Sequence, residues 1–259
     1  MSAKQKFWTI RAAKDNPKAG EVLLYGYISN TSWWGDEVTP KQFAEDLKAL
    51  GDVDTITVFI NSGGGDVFAA QAIYSQLKRH KATVNTYIDG LAASAASFIA
   101  MVGETVTMPK NAMMMIHNPW SFAFGSAPEF RKMADDLDKI REPMIATYVA
   151  KTGLSEEEIA AYLDAETWFT AEDAKEAGFA DVVEELKEIA ASIDGDTLTI
   201  NGRQVDLAPY RAFPREKVPA GGPAEPQPQA ADELEPSVAA AGDARTQVRL
   251  RLARAKARL

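Results

Sequence analysis

No cysteine occurs anywhere in the 259 residues. That excludes disulfides, thiolate nucleophiles and cysteine-ligated zinc. Histidine is almost as scarce: His80 and His117 are the only two, too few for a histidine-rich metal site. Long apolar runs are also missing. The most apolar stretch, residues 91–102, is shorter than a membrane span and carries two serines. The first seven residues, MSAKQKF, lack the apolar region of a secretory leader. These absences fit a soluble protein of a reducing, cytoplasmic compartment, with no metal, cofactor or membrane partner.

Positive charge is lacking as well. The net charge of −9 argues against a general nucleic-acid-binding surface. The balance is uneven, however. Residues 243–259 hold five arginines and one lysine against one aspartate, so the rest of the chain carries −14.

What is present divides the chain into five parts. Residues 1–20 are polar and aperiodic and read as an N-terminal arm. Residues 21–184 have the patterning of one folded domain, residues 185–213 form an extension, residues 214–242 a proline-, alanine- and glycine-rich linker, and residues 243–259 a basic amphipathic helix. That last helix would place Val248, Leu252, Ala255 and Leu259 on one face.

Within the domain, Glu21 to Ile28 reads as a strand, and Trp33 and Trp34 mark a loop suited to packing. Thr39-Pro40-Lys41-Gln42 opens a helix: an N-cap, a proline at the first helical position and a capping-box glutamine, with Gly51 as the stop. The β-branched run Thr55–Ile60 is a strand that enters the turn Asn61-Ser62-Gly63-Gly64-Gly65-Asp66, and apolar residues at helical spacing follow. A strand over 83–88, a break at Gly90 and a buried helix over 94–101 complete an alternation that predicts a parallel sheet with crossover helices. Short strands at 105–108 and 112–116 precede a long helix from Ala127, which Pro143 should kink or divide. Helices capped by Ser155 and Thr170 and a last strand over 179–183 close the domain. In the extension, Leu198–Val205 reads as a hairpin turning at Asn201-Gly202.

Few groups in this chain can do chemistry. A serine at the first turn of a buried helix, as at Ser94, meets free backbone N–H groups of the kind an oxyanion needs. The same pattern suits a close-packed helix whose serines bond to the preceding turn. The glycine turn lacks the lysine of a phosphate loop and the spacing of a dinucleotide fold. It is either a tight strand-to-helix turn or a source of N–H donors for an oxyanion. His80 lies in a basic helix end and reads as exposed, whereas His117 follows an apolar strand and precedes a proline turn. Only His117 is placed to act as a base towards a serine. An orienting carboxylate would come from Asp164 or Glu166, between two helices.

These segments together resemble the Clp-type serine peptidases, the proteolytic subunit of the caseinolytic protease and its phage relatives. The resemblance is carried, in order, by Ile60-Asn61-Ser62-Gly63-Gly64-Gly65, Gly90-Leu91-Ala92-Ala93-Ser94, Met115-Ile116-His117-Asn118-Pro119 and residues 169–181. It implies an α/β fold, a crotonase-like spiral of ββα units with a long handle helix, followed by a disordered C-terminal tail. It also implies a homo-oligomeric ring acting on protein substrates. By the same resemblance Ser94 is the nucleophile, Ser97 a packing serine and His117 the general base. The backbone N–H groups of Gly65 and Ala95 form the oxyanion hole. Glu166 aligns with the orienting aspartate of the housekeeping enzymes, with Asp164 two residues earlier.

Gly63 stands where those enzymes usually have proline. Neither end of the chain matches the housekeeping subunit either. A Clp-like core with a long low-complexity tail looks like the phage head-maturation proteases. The expectation is therefore an ATP-independent endopeptidase that cuts scaffold or capsid proteins in an assembling prohead in the host cytoplasm. Its basic tail would contact scaffold, capsid or nucleic acid. Two other expectations stay open: a housekeeping peptidase working with an ATPase, and an acyl-CoA hydratase or isomerase on the same fold.

Overall fold

The β-branched and aromatic runs do form strands, and most of them join one sheet. The computed structural model describes residues 6–30, 39–185, 191–194, 196–200, 203–208, 210 and 212–214. The paired tryptophans, the Asn201-Gly202 turn, the linker past residue 214 and the basic helix lie outside the described residues.

Strands β1 (Trp8–Ala13) and β2 (Asn16–Tyr25) form an antiparallel hairpin at the sheet edge. The arm expected at 1–20 is thus mostly sheet. Its alternation is weak because an edge hairpin buries little: Trp8 is buried, while most of β1 and the start of β2 face solvent. The strand expected over 21–28 ends at Tyr25, and Ile28 makes only an isolated bridge to Gly65.

Strand β2 pairs in parallel with β3 (Thr55–Ser62), β3 with β4 (Thr83–Ala93), β4 with β5 (Val106–Pro109), and β5 with β8 (Val182–Glu184). Helices α1 (Pro40–Ala49), α2 (Val67–Lys78) and α3 (Ala95–Ala100) follow β2, β3 and β4. In α1, Thr39 accepts from the Gln42 backbone as a cap, but the Gln42 side chain turns to Asp46 instead of closing a capping box.

The main departure from the sequence reading is at Gly90, where no break occurs. Strand β4 continues to Ala93 because it changes partner: Thr86 and Tyr87 pair with β5, whereas Leu91 to Ala93 pair with β6 (Met113–Ile116). Ladder hydrogen bonds override the helix propensity of the alanines, so the helix begins only at Ala95. Strand β6 also pairs antiparallel with β7 (Thr167–Thr170).

Helix α4 (Ala127–Thr152) runs unbroken through Pro143, with Ser126 and Glu129 as a capping box. Helices α5 (Glu156–Asp164) and α6 (Ala171–Glu176) flank β7, each with a capping box. The small strands β9 (Ala191–Asp194), β10 (Thr197–Ile200) and β11 (Arg203–Asp206) form a separate antiparallel sheet. The main core lies between the large sheet and its helices, around Ile56, Ile88, Ile99, Met114 and Tyr148. A second cluster joins Leu91, Ala93, Met113, Met115 and Trp168 to Leu198 and Leu207 of the extension. Strand β6 is therefore buried on both faces. Among the described residues, no helix is long and apolar enough to cross a membrane.

Candidate active site

The partner switch along β4 sets the site. Where β4 ends, Ser94 bends the chain into α3 with φ 55 and ψ −125. A residue with a Cβ adopts that conformation at a cost of about 1–3 kcal/mol, which the surrounding ladder sustains. The Ser94 N–H donates to the Met115 carbonyl at 2.9 Å, tying the bend to β6. Two residues beyond Met115 the chain leaves β6 at His117, and its Nε2 lies 2.8 Å from Ser94 Oγ. With the imidazole proton on Nδ1, Nε2 accepts the serine hydroxyl, the arrangement that makes serine a nucleophile.

Ser97 lies one turn into α3, fully buried. Its Oγ donates to the Ser94 carbonyl at 2.6 Å and meets Tyr148 Oη of α4 at 2.9 Å. Burial raises the Tyr148 pKa, so the phenol stays protonated. The elbow is thereby tied to the long helix.

On the other side, the glycine turn presses on the elbow. Ser62 donates to the Gly26 carbonyl at 2.5 Å and accepts from the Gly64 N–H at 3.1 Å. A Cβ on Gly64 would stand 2.6 Å from the Ala93 carbonyl, 2.7 Å from Ser94 Cβ and 3.0 Å from the Ala95 nitrogen. Gly65 has φ +147, and a Cβ there would collide with the Ile28 carbonyl. The two expected amides, of Gly65 and Ala95, therefore belong to segments in contact beside the Ser94 side chain.

The two candidate carboxylates part company. Asp164 takes the side-chain amide of Asn118 at 2.8 Å and Arg141 Nη2 at 2.9 Å, and it is exposed. The Asn118 hydrogen bond, with help from Arg141, lowers its pKa. Glu166 has φ 50 and is half-buried. Among the described residues its Oε1 accepts from the Trp168 indole at 3.4 Å and the Ala212 backbone N–H at 2.8 Å, and not from the imidazole. Its charge still acts on His117. Burial lowers the His117 pKa, and Glu166 works against that by favouring the imidazolium. His80 makes none of these contacts. It is half-buried at the end of α2, not exposed, and accepts the Ala82 N–H at 3.1 Å.

Tyr210 is the site neighbour that the sequence did not single out. Its hydroxyl donates to the Gly63 carbonyl, and its ring centroid lies 6.2 Å from that of His117. Nothing in its local pattern marks it, since it sits beyond the hairpin with no apolar period around it.

The family model described as Clp protease matches residues 36–187. The chain is 35% identical over 161 residues to the ATP-dependent Clp protease proteolytic subunit 1 of Streptomyces avermitilis, covering 60% of this chain and 74% of that protein. It is 34% identical over 185 residues to the ATP-dependent Clp protease proteolytic subunit 3 of Streptomyces coelicolor, covering 69% and 85%.

Proposed function

The chain belongs to the Clp protease family, and on that premise we propose that it hydrolyses peptide bonds with Ser94 as nucleophile, His117 as general base and Glu166 as the orienting carboxylate. The observation that carries this reading is the 2.8 Å contact between Ser94 Oγ and His117 Nε2 at a strained elbow. A hydratase or isomerase on the same fold has no use for that contact.

Ser94 Oγ attacks the scissile carbonyl carbon while its proton passes to His117 Nε2. The carbonyl oxygen becomes an oxyanion held by the N–H groups of Gly65 and Ala95. Collapse of the intermediate breaks the C–N bond, and the proton on Nε2 leaves with the amine. A water molecule, deprotonated by the same nitrogen, then attacks the acyl-serine; the C–O bond to Ser94 breaks, and Oγ takes the proton back from Nε2 as the acid product leaves. Glu166 stabilises the imidazolium in both halves.

The finer reading is a phage prohead maturation protease that cuts scaffold or capsid chains without an ATPase. It is supported by the length of chain past the family match at residue 187 and by the basic segment 243–259. The names of the relatives, both ATP-dependent, favour the alternative, an ATPase partner. Exposed Trp120, Phe122 and Phe124, between His117 and the start of α4, and exposed Phe130 in its first turn support a homo-oligomer. The test is to express wild type, Ser94→Ala and His117→Ala beside a candidate scaffold protein and weigh the products by mass spectrometry. Only wild type should trim the partner. Trimming by Ser94→Ala refutes the nucleophile, and casein degradation only with an added ATPase refutes the maturation role.

A further inference from the structure

The extension beyond residue 187 lies outside the family match, yet it reaches the reactive pair. The small sheet anchors it. Leu198 and Leu207 are buried against Leu91, Ala93, Met113, Met115 and Trp168, on the face of β4 and β6 that the main core does not use. From that anchor three contacts converge on the site. The Tyr210 hydroxyl takes the Gly63 carbonyl, the Tyr210 ring packs against His117 and meets Trp168 at 5.5 Å and 88°, and the Ala212 N–H takes Glu166. Phe213 also meets Trp168 edge-on, at 4.6 Å and 87°. One stretch of the same chain thus bonds the carbonyl of the glycine turn and one carboxylate oxygen of Glu166, and sets a ring beside the imidazole.

Gly63 makes room for this arrangement. A Cβ at Gly63 would stand 3.1 Å from Val205 Cγ1 and 3.3 Å from Tyr210 Oη, so the extension fills the space a side chain would need. Burial, with the charge of Glu166, pushes the Tyr210 phenol up to about 12, which keeps it a donor. Hydrogen bonds of this kind, exchanged for bonds to water, are individually weak. A peptide offering equivalent groups can therefore displace them.

We propose that the stretch bearing Leu207, Tyr210, Ala212 and Phe213 is a pseudosubstrate strap seated in the substrate cleft, with Tyr210 filling a subsite that receives an aromatic side chain of the substrate. The proposal rests on the peptidase reading for its chemistry, but not for its geometry. While the strap is seated, the competent fraction of the protein is reduced and apparent reactivity falls in proportion.

The test uses the full-length chain and a fluorophosphonate probe for Ser94. Tyr210→Ala should label about tenfold faster than wild type. Tyr210→Phe, which keeps the ring and loses only the bond to Gly63, should fall between them. A synthetic peptide with the sequence of residues 203–214 should slow labelling of Tyr210→Ala. The same peptide with alanine for tyrosine should need about tenfold more. Equal labelling of the three folded proteins, or equal potency of the two peptides, overturns the proposal. A second readout does not need a live nucleophile. In a Ser94→Ala background the His117 resonance is one of only two histidine signals. Adding Tyr210→Ala should admit water to the imidazole and move its titration midpoint upward. A midpoint that stays put overturns the strap whatever the labelling shows. An upward shift with no labelling in any form upholds the strap and refutes the peptidase reading.

Discussion

Replacing Gly64 by alanine should uncouple reactivity from folding. Gly64 holds φ +94, where an L residue is strained, and its missing Cβ leaves room for the elbow. The added methyl would sit 2.6 Å from the Ala93 carbonyl, against the 3.4 Å at which ordinary contact begins. The turn and the elbow must therefore share a displacement of about 0.8 Å. Misplacement of a reacting group by about 1 Å costs on the order of 10²-fold in rate. The backbone strain costs about 1–3 kcal/mol, and at roughly 2–4 °C per kcal/mol for a chain of this size the protein stays folded at room temperature. The measurement is the second-order rate of Ser94 labelling by a fluorophosphonate, read beside the thermal midpoint. Gly51→Ala is the control: φ is +79, but no atom lies within 4 Å of the added Cβ, so the midpoint should fall while labelling holds. A folded Gly64→Ala protein that labels at the wild-type rate would refute the claim that the glycine turn positions the nucleophile.

Labelling should rise with pH through a midpoint below the usual histidine value, because burial disfavours the imidazolium and the proposed base is the neutral ring. Glu166→Gln removes the charge that, among the described residues, opposes that effect, so the midpoint should move further down as the plateau falls; an upward shift contradicts the assignment. Asp164→Asn should change peptidase activity less than about threefold, since its carboxylate is exposed and paired with Arg141 and Asn118, whereas Glu166→Gln should cost tenfold or more. Equal losses would reassign the third residue. Tyr148→Phe deletes a buried hydroxyl bonded to Ser97. It should lower stability by about 1–2 kcal/mol, measured by urea denaturation; an unchanged midpoint would show that the Ser97 bond to Ser94 suffices.

Much of this arrangement is legible in the residues themselves. Scarcity helps most: with two histidines, only His117 can face Ser94, and its place after an apolar strand puts it at a strand end. The glycine turn after β3 and the caps at Thr39, Ser155 and Thr170 follow from local chemistry. The alanines after Gly90 mislead because their propensity is helical, while their conformation is set by β6, some twenty residues later in the chain. Residues 8–20 hide their strands because an edge hairpin needs no clean alternation. Tyr210 is invisible for a different reason: its contacts with Gly63 and His117 are long-range and leave no period.

One backbone bond ties the proposed nucleophile to the strand that leads to its proposed base: the Ser94 amide on the Met115 carbonyl. The gap between hydroxyl and imidazole is therefore spanned by a single rung and two residues, however long the excursion through α3 and β5. Spare residues spliced in at the exposed bend near Glu104 would lengthen the detour and leave the two ends of the rung where they are. Enzymatic competence in this chain is in that sense insulated from its own loop lengths, and more exposed to a change of one residue in the register of β6.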